Sequence, residues 1–201
     1  MQPPKDSQSD AKAASRPDAM VMHTTARISG DHAGLVSVEF ARTNEAVVTM
    51  VWGGILMRFL SANAAQGVLE GFSAARGHLA PLAAHTPNPR LDNANEFVQT
   101  TLALNWVRRA SYAVVGRNGY STALGRTVHW IDLSMGPVTW LIMDRTAYHS
   151  ALDILRRAHR TAAGVCLDGD TYGVDPTEDD YIPPLGVPEA NRRLRPGSAR
   201  I

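Results

Sequence analysis

Cysteine is nearly absent: Cys166 stands alone in 201 residues. One thiol excludes an internal disulfide and any metal site built from several cysteines, and it fits a reducing, cytoplasmic setting. Lysine is scarce as well. Of the 20 basic residues only Lys5 and Lys12 are lysines, so the rest are guanidinium groups. That bias matches codon usage in a GC-rich bacterial genome, or a choice of side chains suited to bidentate anion contacts. Long apolar runs are missing too. No window approaches the roughly 20 apolar residues that a membrane helix requires, no apolar stretch follows the N-terminal charges as a secretory signal would, and no membrane partner is expected. A net charge of +1 leaves no whole-protein field to steer the chain toward a polyanion.

What is present is globular composition, 44% hydrophobic and 19% charged, in a length suited to one domain with a substantial core. Residues 1–22, rich in Gln, Ser, Asp and Pro, read as a disordered tail. Residues 23–185 read as a single α+β domain with structure beginning near Ala33, and 186–201 as a flexible basic tail. The expected fold is a mainly antiparallel sheet packed by two principal helices and built from two pseudo-repeated ββα units, about 35–77 and 118–163.

The first unit starts from "GLVSVEF", whose alternation places Val36, Val38 and Phe40 on one half-buried strand face. In "VVTMVWGGILMRFL" a two-residue Gly53-Gly54 loop pairs Trp52 with Ile55, Met50 with Met57 and Val48 with Phe59. Ser61 then N-caps a helix whose apolar stripe is Ala65, Val68, Leu69, Phe72 and Ala75. Gly67 and Gly71 lie beside that stripe, where each costs about 1 kcal/mol relative to alanine, so another element is expected to pack close there. The second unit repeats the logic. Laying Gly53-Gly54 over Gly136-Pro137 carries Ser61 onto Asp144, Leu69 onto Leu152, Glu70 onto Asp153 and Phe72 onto Leu155. Its hairpin pairs Met135 with Val138, Leu133 with Trp140 and Ile131 with Ile142, and Asp144 caps a helix with the stripe Ala147, Tyr148, Ala151, Leu152, Leu155 and Ala158. Duplication and convergence on a common ββα unit both account for the likeness.

Between the units a proline-rich connection crosses from one half to the other. "EFVQTTLALNW" reads as a strand on its β-branched Val98, Thr100 and Thr101, although Asn93 and Glu96 resemble a helix capping box. "SYAVVGRNGYSTAL" offers a hairpin turning at Asn118-Gly119, and the chain from Val165 reads as a loop-rich wrap.

Candidate site residues fall into three sets. Asp168, Asp170 and Asp179 stand in an acidic segment that shares some spacing with a calcium loop, although Tyr172 occupies a ligand position and a solvated acidic loop is the plainer reading. Arg192, Arg193, Arg195 and Arg200 make the densest positive run and are the candidate nucleic-acid contacts, without the interleaved aromatics that base stacking uses. Trp130, Asp132 and His149 are candidate ligand contacts. His149 and Asp153, four apart on a helix, could orient an imidazole or form an ordinary surface pair. Arg108-Arg109 and Arg156-Arg157 read as solvated pairs.

No phosphate loop, nucleophile elbow or converging acid–base set is present, and no cofactor is expected. A non-catalytic binding or regulatory protein is therefore the first reading, with an unknown protein or small molecule as partner in a groove where the two halves meet. A nucleic-acid-binding accessory protein using the C-terminal arginines is the alternative, and an enzyme of unknown class the second. Free strand edges make a homodimer a further expectation.

Overall fold

The computed structural model describes residues 23–86 and 101–183, which form an α+β fold. Eight strands run in chain order as β1 (Thr24–Ile28), β2 (Gly34–Glu39), β3 (Val47–Trp52), β4 (Ile55–Phe59), β5 (Leu102–Trp106), β6 (Tyr112–Ser121), β7 (Arg126–Met135) and β8 (Val138–Ile142). Helix α1 (Ala62–Ala74) follows β4 and continues into a 3-10 turn at Ala75–His78. Helix α2 (Arg145–Val165) follows β8, and α3 (Gly169–Tyr172) is a single turn after it.

Both hairpins have the register that their alternation dictates. Trp52 faces Ile55, Met50 faces Met57 and Val48 faces Phe59, while Met135 faces Val138, Leu133 faces Trp140 and Ile131 faces Ile142. Gly53 and Gly136 open the two turns with φ of 57° and 56°, a region in which a Cβ is strained. A shift of one residue would turn the core-facing set, including Trp52, Met50, Leu133 and Trp140, out of the core, so burial holds the register as firmly as the turns do.

The strands assemble into two four-stranded sheets, ordered β2-β3-β4-β5 and β1-β8-β7-β6, where one sheet was expected. Each hairpin gains an antiparallel neighbour, β2 or β6, and a parallel one, β5 or β1. The parallel strands are what pattern reading cannot place. β1 pairs with β8 from Thr24↔Val138 to Ile28↔Ile142 across most of the chain, and its five polar-rich residues carry too weak an alternation to announce a strand before Ala33.

Three further expectations change. Phe40 is 63% exposed with φ of 52°, because β2 ends at Glu39 and the chain turns there, Thr43 donating through its hydroxyl to the Phe40 carbonyl at 2.7 Å. The turn after β6 falls at 122–125, where Gly125 supplies a φ of 61°, and not at Asn118-Gly119, which lie within β6 opposite His129 and Val128. Gly119 serves the strand by sitting beneath the Trp130 indole, where an added Cβ would come within 3.2 Å of the ring. Of the ambiguous "EFVQTTLALNW", residues 102–106 form strand β5; the rest lie outside the described residues, as do the two tails.

The core lies where α1 and α2 pack on each other and on the inner sheet faces. The stripes of both helices are buried, and Trp52, Trp140, Tyr148, Phe59 and Phe72 are its largest fully buried side chains. Each large apolar side chain removed from water contributes roughly 1.5–3 kcal/mol against the entropy of ordering it.

Both helices begin on carboxylates. Ser61 Oγ accepts the Ala64 N–H at 3.1 Å, and Asp168 reaches across from the C-terminal wrap to accept those of Ala62 and Asn63 at 2.9 and 3.0 Å. Asp144, fully buried, caps α2 by accepting the Ala147 N–H at 2.8 Å and also binds the N–H groups of Gly30 and Thr86. The donors of Ala62, Asn63, Ala64 and Ala147 would otherwise be unsatisfied at a helix start.

Candidate functional site

The first part of the connection leaving α1 is bonded to the start of α2. Arg145 and Thr146 donate their N–H groups to the carbonyls of Ala83 and Ala84 at 3.0 and 3.1 Å, the Thr146 hydroxyl donates to Ala84 O at 2.7 Å, and Thr86 is held on Asp144 at 2.9 Å. The segment 81–86 is thereby pinned to the start of α2, beside the outer face of the β1-β8-β7-β6 sheet.

Between that segment and the sheet lies a cleft of about 460 Å³. Its apolar lining includes Leu82, Leu124, Leu141 and Met143 together with the Trp130 indole. Strand alternation explains the composition. Ile28, Ile131 and Ile142 point inward to the core, so their neighbours Arg27, Trp130 and Leu141 face outward into the cleft, and Arg27 and Leu141 are register partners. Arg126, at the start of β7, adds a second guanidinium group, and the His129 ring lines the cleft beside it. Among the described residues no acidic side chain lines the cleft, and its remaining polar groups include the hydroxyls of Thr86, Ser121 and Thr127.

Trp130 is held in place by its neighbours. Its Nε1–H donates to Asp132 Oδ1 at 2.9 Å, and Asp132 Oδ2 in turn accepts from Arg117 Nε at 3.0 Å. Of the three candidate ligand contacts, then, Trp130 lines the cleft and Asp132, two residues along the same strand face, orients it. His149 lies apart, exposed on α2 against the Tyr148 ring, while Asp153 pairs with Arg156 at 3.5 Å. The cleft sits on one sheet and the connecting segment, and not in a groove between the two hairpin halves.

The acidic set is dispersed. Asp168 is spent on α1, Asp170 is exposed, and Asp179 pairs with Arg76 at 3.2 Å. Residues 169–172 are helical where a calcium loop would be open, and among the described residues no three His, Cys, Asp or Glu side chains are grouped to hold a metal ion. Arg192, Arg193, Arg195 and Arg200 lie outside the described residues.

No family model matches the chain, and no curated protein and no solved structure matches it either. The site is therefore read from its geometry.

A second polar cluster escaped pattern reading. Arg109, expected to be solvated, turns inward with its side chain 14% exposed and donates to Glu70 Oε2, to Gln66 Oε1 at 2.8 Å and to the Tyr181 hydroxyl at 2.8 Å. Tyr112 and Tyr181 also donate to Glu70, at 2.9 and 2.7 Å. Glu70 is 4% exposed and its charge is fully compensated, as a buried carboxylate requires. The cluster ties α1 to β6 and to the C-terminal wrap, and its donors and acceptors are turned on one another. The signal available in the sequence was the glycine pair. An added Cβ would come within 2.5 Å of Arg109 Cγ at Gly67, and at Gly71 it would meet the Met135 side chain and lie 3.2 Å from the Tyr112 ring, so the close-packing elements are the segment before β6 and the strands β6 and β7.

The wrap is fastened by further bonds. Gln66 Nε2 donates to Val174 O at 2.9 Å, Arg76 Nη2 to Thr177 O at 2.9 Å, and the buried His159 imidazole bonds Tyr172 O through Nε2 at 2.7 Å. Burial pushes the His159 imidazole below its ordinary range, against the opposing pull of that bond and of Asp175. Burial likewise pushes the Cys166 thiol up, with the Asp168 carboxylate acting in the same direction. A thiol shifted that way is a poor nucleophile. Among the described residues no helix is long and apolar enough to cross a membrane.

Proposed function

We propose that this protein is a non-catalytic cytoplasmic binding protein whose small-molecule ligand occupies the cleft beside Trp130. The observation that carries the reading is a cleft with fixed walls: one is the outer face of a sheet, and the other, residues 81–86, is bonded to the start of α2 through Asp144 and Thr146. A site built on such supports loses little conformational entropy when it is filled. Its volume falls in the range of small-molecule pockets, and its lining has their composition, mostly apolar with a few polar groups. No paired nucleophile and base lie among its lining residues, which favours binding over chemistry.

The two ββα units, about 35–77 and 118–163, are read as diverged pseudo-repeats. Their matched hairpin registers and capped helices support this, and in it the second unit has acquired a ligand surface where residues 81–86 lie beside its sheet.

Tryptophan fluorescence tests the proposal. Trp52, Trp106 and Trp140 are buried and Trp130 is half-buried in the cleft. A cell-extract fraction of small molecules, freed of macromolecules, should quench the emission of the protein and leave that of a Trp130→Phe variant unchanged. Equal quenching of both proteins, or of neither, contradicts the proposal.

A further inference from the structure

We infer that the ligand is a flat, largely apolar molecule carrying an anionic group, of the class of aromatic carboxylates, sulfonates or phosphate esters; this rests on the reading of the cleft as the binding site. The charge at the cleft is one-sided. Arg27 on β1 and Arg126 on β7 reach it from different strands, and among the described residues no carboxylate lines it. Elsewhere the described arginines are mostly spent on partners. Arg58 pairs with Glu39, Arg76 with Asp179, Arg109 with Glu70, Arg117 with Asp132, Arg156 with Asp153 and Arg160 with Asp175. Neither Arg27 nor Arg126 makes an ion pair or side-chain hydrogen bond among the described residues. Asp132, the carboxylate that holds the Trp130 indole, is already committed to Arg117.

Two guanidinium groups at the rim of an apolar cleft match one kind of ligand. Each offers a planar fork of donors to a carboxylate, sulfonate or phosphate, and such charge-assisted bonds gain strength next to an apolar wall. The carbon skeleton would lie along Leu82, Leu141 and Met143 with an aromatic ring against Trp130. A long polyanion fits less well, because the protein as a whole carries only +1.

Two probes that share a skeleton separate the claims. Anilinonaphthalene sulfonate carries the anion, and N-phenyl-1-naphthylamine is its neutral counterpart. Affinities are measured by titration of probe fluorescence on the full chain, on Arg27→Gln/Arg126→Gln, on Leu124→Glu and on Trp130→Phe. The substituted arginines are exposed, as is Leu124, and a thermal melt matching wild type confirms that each variant folds. The sulfonate should bind about tenfold or more tighter than the neutral probe. That margin should vanish in the double arginine variant, where affinity for the neutral probe changes little, and in Leu124→Glu, which sets a carboxylate in the lining and weakens the sulfonate more than the neutral probe. Equal binding of both probes, with Trp130→Phe weakening each and the arginine changes altering neither, overturns the anionic ligand and leaves the cleft standing. Failure of both probes to bind, or binding indifferent to all three variants, overturns the cleft as well.

Discussion

The Asp144 carboxylate accepts the backbone N–H of Thr86 at 2.9 Å, and that bond joins the start of α2 to the wall of the cleft. The same side chain caps the helix on Ala147 and holds Gly30 at the end of β1. One buried side chain therefore sets the position of three segments.

Asp144→Ala should cost about 3 kcal/mol in urea unfolding, since it removes a helix cap and leaves further buried donors without a partner. Asp144→Ser, which can still cap Ala147 but is too short to hold all three segments, should lose less stability yet lose cleft binding to a similar degree. His149→Ala, on the exposed side of the same helix, should change stability by less than about 0.5 kcal/mol and leave binding intact.

Gly67→Ala offers a test in which local and tertiary preference oppose one another. In an isolated helix alanine would gain about 1 kcal/mol over glycine. Here the new methyl meets Arg109 at both Cγ and the backbone Cα, within 2.5 and 3.2 Å. The substitution should destabilise the protein, by about 1–3 kcal/mol on the scale of overpacked cores. A more stable Gly67→Ala protein would show that the approach of Arg109 to α1 is wrong.

The Glu70 carboxylate should depend on Arg109 for more than one bond. Arg109→Met leaves Glu70 buried with only the Tyr112 and Tyr181 hydroxyls, and should cost about 3–5 kcal/mol. Adding Glu70→Gln to that variant removes the unpaired charge and should recover part of the loss. A double variant as unstable as the sum of the singles would show that the two residues are not coupled.

Acid should loosen the protein through His159. Its imidazole is held neutral by burial, so its folded value lies below that of the unfolded chain, about 6.5. The stability tied to the neutral ring is fully present above that unfolded value and is lost as pH falls toward the folded one. Asp175 contributes in a separate, lower window: burial pushes it up, but bonds from Thr177 and the nearby Arg156 hold it on balance below its ordinary value. Thermal melts between about pH 7.5 and 5.5 should therefore fall in wild type and flatten in His159→Gln, which keeps a donor toward Tyr172 O.

The local parts of this fold were legible in the sequence because the physics that sets them is local. Alternation around Gly53 and Gly136 dictated two registers, and Ser61 and Asp144 marked two helix starts. What the sequence concealed is long-range. Nothing near Thr24 signals that it will lie beside Val138, and nothing near Asp168 signals that it will cap the helix at Ala62. Asn118-Gly119 carried a strong turn pattern that tertiary context overrode, because Trp130 needs a residue without a side chain beneath it and Gly125 supplies the turn. Trp130 and Asp132 could be singled out from their shared strand face. Arg27, Leu82 and Arg126 could not, since only the folded chain brings β1, the connection after α1 and the start of β7 to one place.

The central claim is that ligands enter beside Trp130, and the indole N–H resonances test it most directly. With uniformly ¹⁵N-labelled protein, the four tryptophan indole signals are followed by NMR as a panel of small aromatic carboxylates and phosphate esters is titrated in. The account predicts that at least one compound moves the Trp130 signal in a saturable way while those of Trp52, Trp106 and Trp140 stay near their starting positions. Saturable shifts at the buried indoles with Trp130 unmoved, or no saturable shift from any member of the panel, would contradict it.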